Sequence, residues 1–176
     1  EVLLEAGLTS EAVRLAERLV AAAPAANTLQ RGDALLLAAR ALWAAGHNVE
    51  AAVRASAAAD LFASDRRQPA EAVALYVRAL AAPSRGSVRL IRRALRTLRE
   101  QGWEDEALVA QVQLGRALLA AGRRSGAARQ FEEVAEQALH DSVRRRLTVL
   151  LARALRAQHA HDGAADRQPD RHGVAL

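Results

Sequence analysis

Four arginines recur at one register in this chain: Arg40, Arg78, Arg116 and Arg153, each followed by Ala-Leu, at spacings of 38, 38 and 37 residues. A guanidinium stays charged and presents a planar fork of donors. Four of them along one surface would suit the carboxylates of a protein partner or an extended acidic peptide. If the repeats present the same face, Leu36, Trp43, Ala74, Val112 and Leu119 fall beside these arginines and supply an apolar floor. The competing account is that each Arg pairs with a nearby acid or simply fills an exposed position. All 25 positive side chains are Arg and none is Lys, so Arg occupies every basic site whatever its role.

A second basic set lies in residues 85–101, which carry six Arg against one Glu, a local excess equal to the +5 of the whole chain. Arg89, Arg92, Arg96 and Arg99 share a helical face beside the apolar stripe of Val88, Ile91, Leu95 and Leu98. Such a face could meet phosphates or an acidic protein surface. No aromatic is interleaved for base stacking, and no helix-turn-helix or zinc signature accompanies it, so nucleic acid is the less favoured partner. A solvated face is the simplest account. Residues 141–158, with Arg144, Arg145, Arg146, Arg153 and Arg156, are open to the same readings.

Other chemistry finds less support. With no Cys in the chain, disulfides, thiolate metal sites and a cysteine nucleophile are excluded for this segment. His159, His161 and His172, with Asp162, fall in a stretch without helical period, and metal ligands need supporting structure. His47 and His140 fall at helix ends, where capping is their ordinary role. Glu132, Glu133 and Glu136 make an acidic face that suits solvent or pairing with Arg129. There is no phosphate-binding glycine loop, nucleophile elbow or suggestive carboxylate pair. The expectation is a non-enzymatic chain with no cofactor and no metal.

The elements that must position these residues are helical. The chain is 51% hydrophobic but only 3% aromatic, so its apolar mass is Ala, Leu and Val, which suits closely packed helices. Leu3-Leu4-Glu5-Ala6-Gly7, Leu42-Trp43-Ala44-Ala45-Gly46 and Leu118-Leu119-Ala120-Ala121-Gly122 each precede an Ala five residues after the Gly: Ala12, Ala51 and Ala127. A Gly after an apolar helix supplies its left-handed end, and the following Ala lets the next helix approach closely. The pattern predicts helices near 10–23, 27–45, 49–63, 69–82, 87–101, 104–121, 124–139 and 141–158, with a truncated one at 1–6. Thr9 and Ser10, Ser87, the acidic run Glu104-Asp105-Glu106 and Asp141-Ser142 mark starts. Gly7, Pro24, Gly46, Pro83, Gly102 and Gly122 mark joints. Trp43 and Trp103 are expected to pack between helices.

The run Leu114-Gly115, Leu118, Gly122, Ala127, Phe131 and Val134 resembles the tetratricopeptide (TPR) consensus, as do Ala39, Leu42, Gly46, Ala51 and Ala58. Gly7, Ala12 and Pro24 match its second half. The repeat around Arg78 diverges, with Pro83 where the Gly joint would stand, and the period exceeds the usual one of about 34. Leu36–Gly46, Ala58–Phe62 and Gly102-Trp103-x-x-Glu106-Ala107 also resemble the repeat region preceding the protease in bacterial CHAT domain-containing proteins. What this resemblance implies is the helical sensing or partner-binding module alone, since the His and Cys catalytic pair has no Cys to match. Lys and Asn of the carboxylate-clamp type are also missing, with Leu37 where the Asn would stand.

The expected fold is all-α: a right-handed TPR-like α-solenoid of about four antiparallel helix pairs with period near 38 residues, over 1–158, followed by a disordered tail or linker at 159–176. Apolar surface is expected at both ends, around Val2, Leu3, Leu4 and around Val149, Leu150, Leu155. No apolar run reaches the roughly 18 residues of a membrane span, and a cytoplasmic setting is expected. The chain opens mid-pattern, as an excerpt of a longer frame would. The expected function is protein–protein interaction, as an adaptor or as the sensing and regulatory repeat region of a larger CHAT-type protease, binding a protein partner or an acidic peptide along the concave face where the TPR resemblance implies that the recurring arginines lie; no membrane is expected. The alternative is the helical sensor region of a bacterial transcriptional regulator whose DNA-binding domain lies elsewhere.

Overall fold

The computed structural model describes residues 8–24, 27–84, 86–136, 151, 152 and 155. Within them the chain forms seven α-helices: α1 (Thr9–Ala22), α2 (Thr28–Ala44), α3 (Asn48–Ser64), α4 (Gln68–Ala81), α5 (Ser87–Glu100), α6 (Glu104–Ala120) and α7 (Arg124–Ala135). No described residue is in a strand. The bounds expected from the sequence agree to within two residues for the first six helices. Residues 1–7, most of 141–158 and the tail lie outside the described set, as do Arg153, Val2, Leu3, Leu4, Val149 and Leu150.

Each helix packs against the next in sequence, antiparallel, as short joints require. Beyond these neighbours, α2 touches α4 and α4 touches α6. The even-numbered helices therefore form a row with contacts of its own. The arrangement is that of an all-helical domain of sequentially packed hairpins, consistent with a helical repeat.

Four joints share one geometry. The backbone N–H of His47, Arg67, Trp103 and Arg123 donates to the carbonyl of Leu42, Phe62, Leu98 and Leu118, five residues back, at 2.8–2.9 Å. The residue before each donor takes a positive φ: Gly46 at 82°, Gly102 at 73°, Gly122 at 71° and Arg66 at 55°. This is the left-handed helix end expected at Gly46 and Gly122, and Gly102, expected as a joint, adopts it too. At the α3–α4 joint an arginine adopts it instead. That joint is held by side chains: Thr28 Oγ1 donates to Asp65 at 2.7 Å, Arg67 pairs with Asp33 at 3.1 Å, and its guanidinium lies 5.0 Å from the Phe62 ring centroid.

Helix starts differ from expectation in three places. Thr9 and Ser10 lie inside α1 rather than before it, with Leu8 in the cap position and no side-chain cap bond. Asn27 caps α2, its side chain accepting from the Gln30 N–H at 3.0 Å, so it precedes the helix rather than opening it. Ser87 lies inside α5 rather than before it. Its hydroxyl turns back to accept from the Ser84 N–H at 2.8 Å.

The core is small-residue packing punctuated by aromatics. Ala12, Ala16, Ala38 and Ala41 close α1 onto α2, and a larger cluster around Val73, Ile91, Leu98, Leu118 and Phe131 joins α4 to α7. Ala152, fully buried, belongs to that larger cluster and Leu155, partly buried, packs against it, while Leu151 beside them is exposed, in line with apolar surface at this end. Two glycines create room for rings. A Cβ on Gly32 would meet Phe62 at 2.7 Å, and one on Gly115 would meet Phe131 at 2.3 Å.

Candidate functional site

The recurrent arginines are separated by the fold. Arg40, on α2, donates to Glu106 Oε2 in the first turn of α6 at 3.0 Å and reaches the Tyr76 hydroxyl on α4 at 3.4 Å. Its side chain is 16% exposed and that of Glu106 13%. A bond between α2 and α6 ties the two ends of the even-helix row together across α4. Arg40 thus takes the pairing alternative left open by the sequence. Arg153 lies outside the described residues.

Arg78 and Arg116 flank the α4–α5 joint from two sides. Arg78 edges a hollow of about 450 Å³ between α3, α4 and α5, beside Val53. Arg116 edges a hollow of about 610 Å³ lined from α2, α4, α5 and α6. The two hollows share Ala79, Ser84 and Ser87. Arg116 is exposed and its hydrogen bond to Gln113, at 3.5 Å, is at the limit of such a bond.

Of the expected apolar floor, Trp43 lines the larger hollow. Val112 and Ala74 are buried and meet only the fold, and Leu36 and Leu119 pack partly buried against the core. Val112 is enclosed because the run from Ala107 to Gly115 is buried nearly all round. That run carries no charge, a signal in the sequence that it would be covered on every side.

The basic face of α5 stands as expected in part. Ile91, Leu95 and Leu98 are buried, with Val88 partly buried, and Arg89, Arg92 and Arg96 point outward, joined by Arg93. Among the described residues these four arginines have no acidic partner. Arg99, exposed like them, differs in having a side-chain partner. It donates to Gln111 Oε1 at 2.6 Å, and the Gln111 amide donates to Glu133 at 2.6 Å, a polar chain through α5, α6 and α7 that the sequence did not disclose. Glu133 is held there as well as near Arg129, at 3.8 Å. Among the described residues every buried side-chain nitrogen and oxygen has a partner.

No group of three or more His, Asp or Glu among the described residues could hold a metal ion. His140, His159, His161 and His172 are outside that set, and His47 precedes α3 as its N-cap residue without a side-chain cap bond. Trp103, at the start of α6, is exposed rather than packed between helices. No helix of the described residues is long and apolar enough to cross a membrane. Comparison with protein-family models, with curated proteins and with solved structures finds no match.

Proposed function

We propose that the chain is a protein-interaction module, a right-handed helical solenoid whose even-numbered helices carry the contact surface for an acidic partner. One observation carries this reading: α2, α4 and α6 share a row, and the hollow beside it bears Trp43 and Arg116 and, among the described residues, no acidic side chain. Arg78 extends the cationic edge on the other side of the α4–α5 joint. Of the arginines first aligned, Arg78 and Arg116 contact the partner, whereas Arg40 serves as an internal strut. The role is non-catalytic. The tetratricopeptide-like spacing of Gly115, Ala127 and Phe131 supports the repeat reading, and the likeness of Leu36–Gly46 to CHAT repeat regions supports a regulatory setting.

The test is binding of a fluorescein-labelled Asp/Glu/Leu peptide, followed by anisotropy. Arg78→Glu with Arg116→Glu is expected to weaken binding at least tenfold, on the order of the cost of reversing contact charges, with helicity unchanged. If that variant binds normally while Arg92→Glu with Arg96→Glu does not, the contact is the α5 face and the proposal is wrong.

A further inference from the structure

The larger hollow has a more particular chemistry than an acidic surface requires. Its volume, about 610 Å³, lies within the range of roughly 300–1,000 Å³ typical of small-molecule sites. The wall is apolar on α2, α4, α5 and α6, through Trp43, Leu80, Val88 and Ala117. Among the described residues the charged side chains in the lining are two arginines, Arg116 and Arg123. Both are exposed. The hydroxyls of Ser84 and Ser87 are 3.3 Å apart and also serve the joint, so the neutral polar lining is largely occupied with itself.

An occupant must therefore supply a negative group for two guanidinium forks and an apolar body for Trp43 and its neighbours. A neutral amphiphile would leave the arginines without a counter-charge. A small polar anion would leave the aromatic wall uncovered. We infer that this hollow is a binding site for a small organic monocarboxylate with an aliphatic body, its carboxylate on Arg116 and Arg123 and its chain against Trp43, Leu80 and Val88. The first turn of α5, beginning at Ser87 on the rim, adds the positive end of a helix dipole. Because the lining comes from four helices, a seated ligand braces α2 against α6 and acts as an effector of the face that carries it. This inference rests on the even-helix row being a binding face, as proposed above.

The chain has two tryptophans, so Trp103→Phe leaves Trp43 as the fluorescent reporter. Titration of that variant with octanoate is expected to shift Trp43 emission saturably and to raise the melting temperature. Octanol and acetate are each expected to bind at least about tenfold more weakly, given the strength of charge-assisted hydrogen bonds. Adding Arg116→Gln and Arg123→Gln should reduce octanoate to the level of octanol, with the far-ultraviolet circular dichroism unchanged. Equal binding of octanol and octanoate, a response that never saturates, or full octanoate affinity in the arginine variant would each overturn the inference. The acidic peptide, run on the same proteins, separates the two proposals. Peptide binding without octanoate binding defeats the ligand site and leaves the partner face standing. Octanoate binding without peptide binding supports the ligand site and defeats the peptide reading, and failure of both defeats both.

Discussion

Arg40 and Glu106 stand 66 positions apart in the chain, yet their side chains meet at 3.0 Å, across the full width of the even-helix row. The pair is mostly sheltered from solvent, so its two charges depend on each other. Removing one takes this charge-assisted bond from the other while leaving it mostly desolvated.

Arg40→Met and Glu106→Leu are each accordingly expected to destabilise the fold by about 2–4 kcal/mol, and the two together by less than the sum of the single changes. Urea denaturation of the four proteins, arranged as a double-mutant cycle, measures this. A coupling below about 0.5 kcal/mol would show that the strut carries no energy.

The glycines beneath the phenylalanine rings give a test with opposite signs. In an open helical position Gly→Ala stabilises by up to about 1 kcal/mol, and Gly126, whose added Cβ would meet Leu118 at 3.7 Å, should behave so. At Gly115 the Cβ would lie 2.3 Å from the fully buried Phe131 ring, and Gly115→Ala is expected to cost about 1–3 kcal/mol. Thermal melts of both variants decide the matter. Phe131→Leu in the Gly115→Ala background should recover part of the loss.

Arg66 is the non-glycine member of the four left-handed joints. Arg66→Gly relieves the Cβ strain at φ 55° and is expected to stabilise by about 0.5–1 kcal/mol, whereas Gly102→Ala, at φ 73°, should destabilise by about 1 kcal/mol. Chemical denaturation that reversed these signs would contradict the joint geometry.

Gln111 is 2% exposed and bonded on both sides, to Arg99 and to Glu133. Gln111→Leu keeps the volume but breaks both bonds, and a loss of about 2 kcal/mol is expected from leaving two charged partners short of a bond. A neutral outcome in denaturant would mean that solvent replaces Gln111 without cost.

The local part of this architecture is legible in the sequence, and the tertiary part is less so. Gly46, Gly102 and Gly122 announce their joints because only the chain's own geometry is involved. The stripe of Ile91, Leu95 and Leu98 likewise announces the buried side of α5. Arg66 escapes such reading because an arginine in the left-handed region is held there by its surroundings: Asp65 on Thr28 and Arg67 on Asp33. The Gly32–Phe62 fit joins positions at two ends of a hairpin, and no short motif spans it. Arg40, Arg78 and Arg116 illustrate the same limit at the candidate site. Equal register places them at similar positions on their own helices, but the packing across α4 brings Glu106 to Arg40 and leaves Arg116 at the hollow. Repeat spacing fixes the first relation and is silent about the second.

The claim that the even-helix row is the binding face can be read from two signals. Trp43 lines the hollow on that row, and Trp103 lies outside it at the start of α6. In a ¹H–¹⁵N correlation spectrum of the full chain, addition of the Asp/Glu/Leu peptide is expected to move the Trp43 indole signal and leave that of Trp103 in place, and to move neither when Arg116 is replaced by Glu. Movement of the Trp103 signal alone, or of neither in the unaltered protein, would contradict the account.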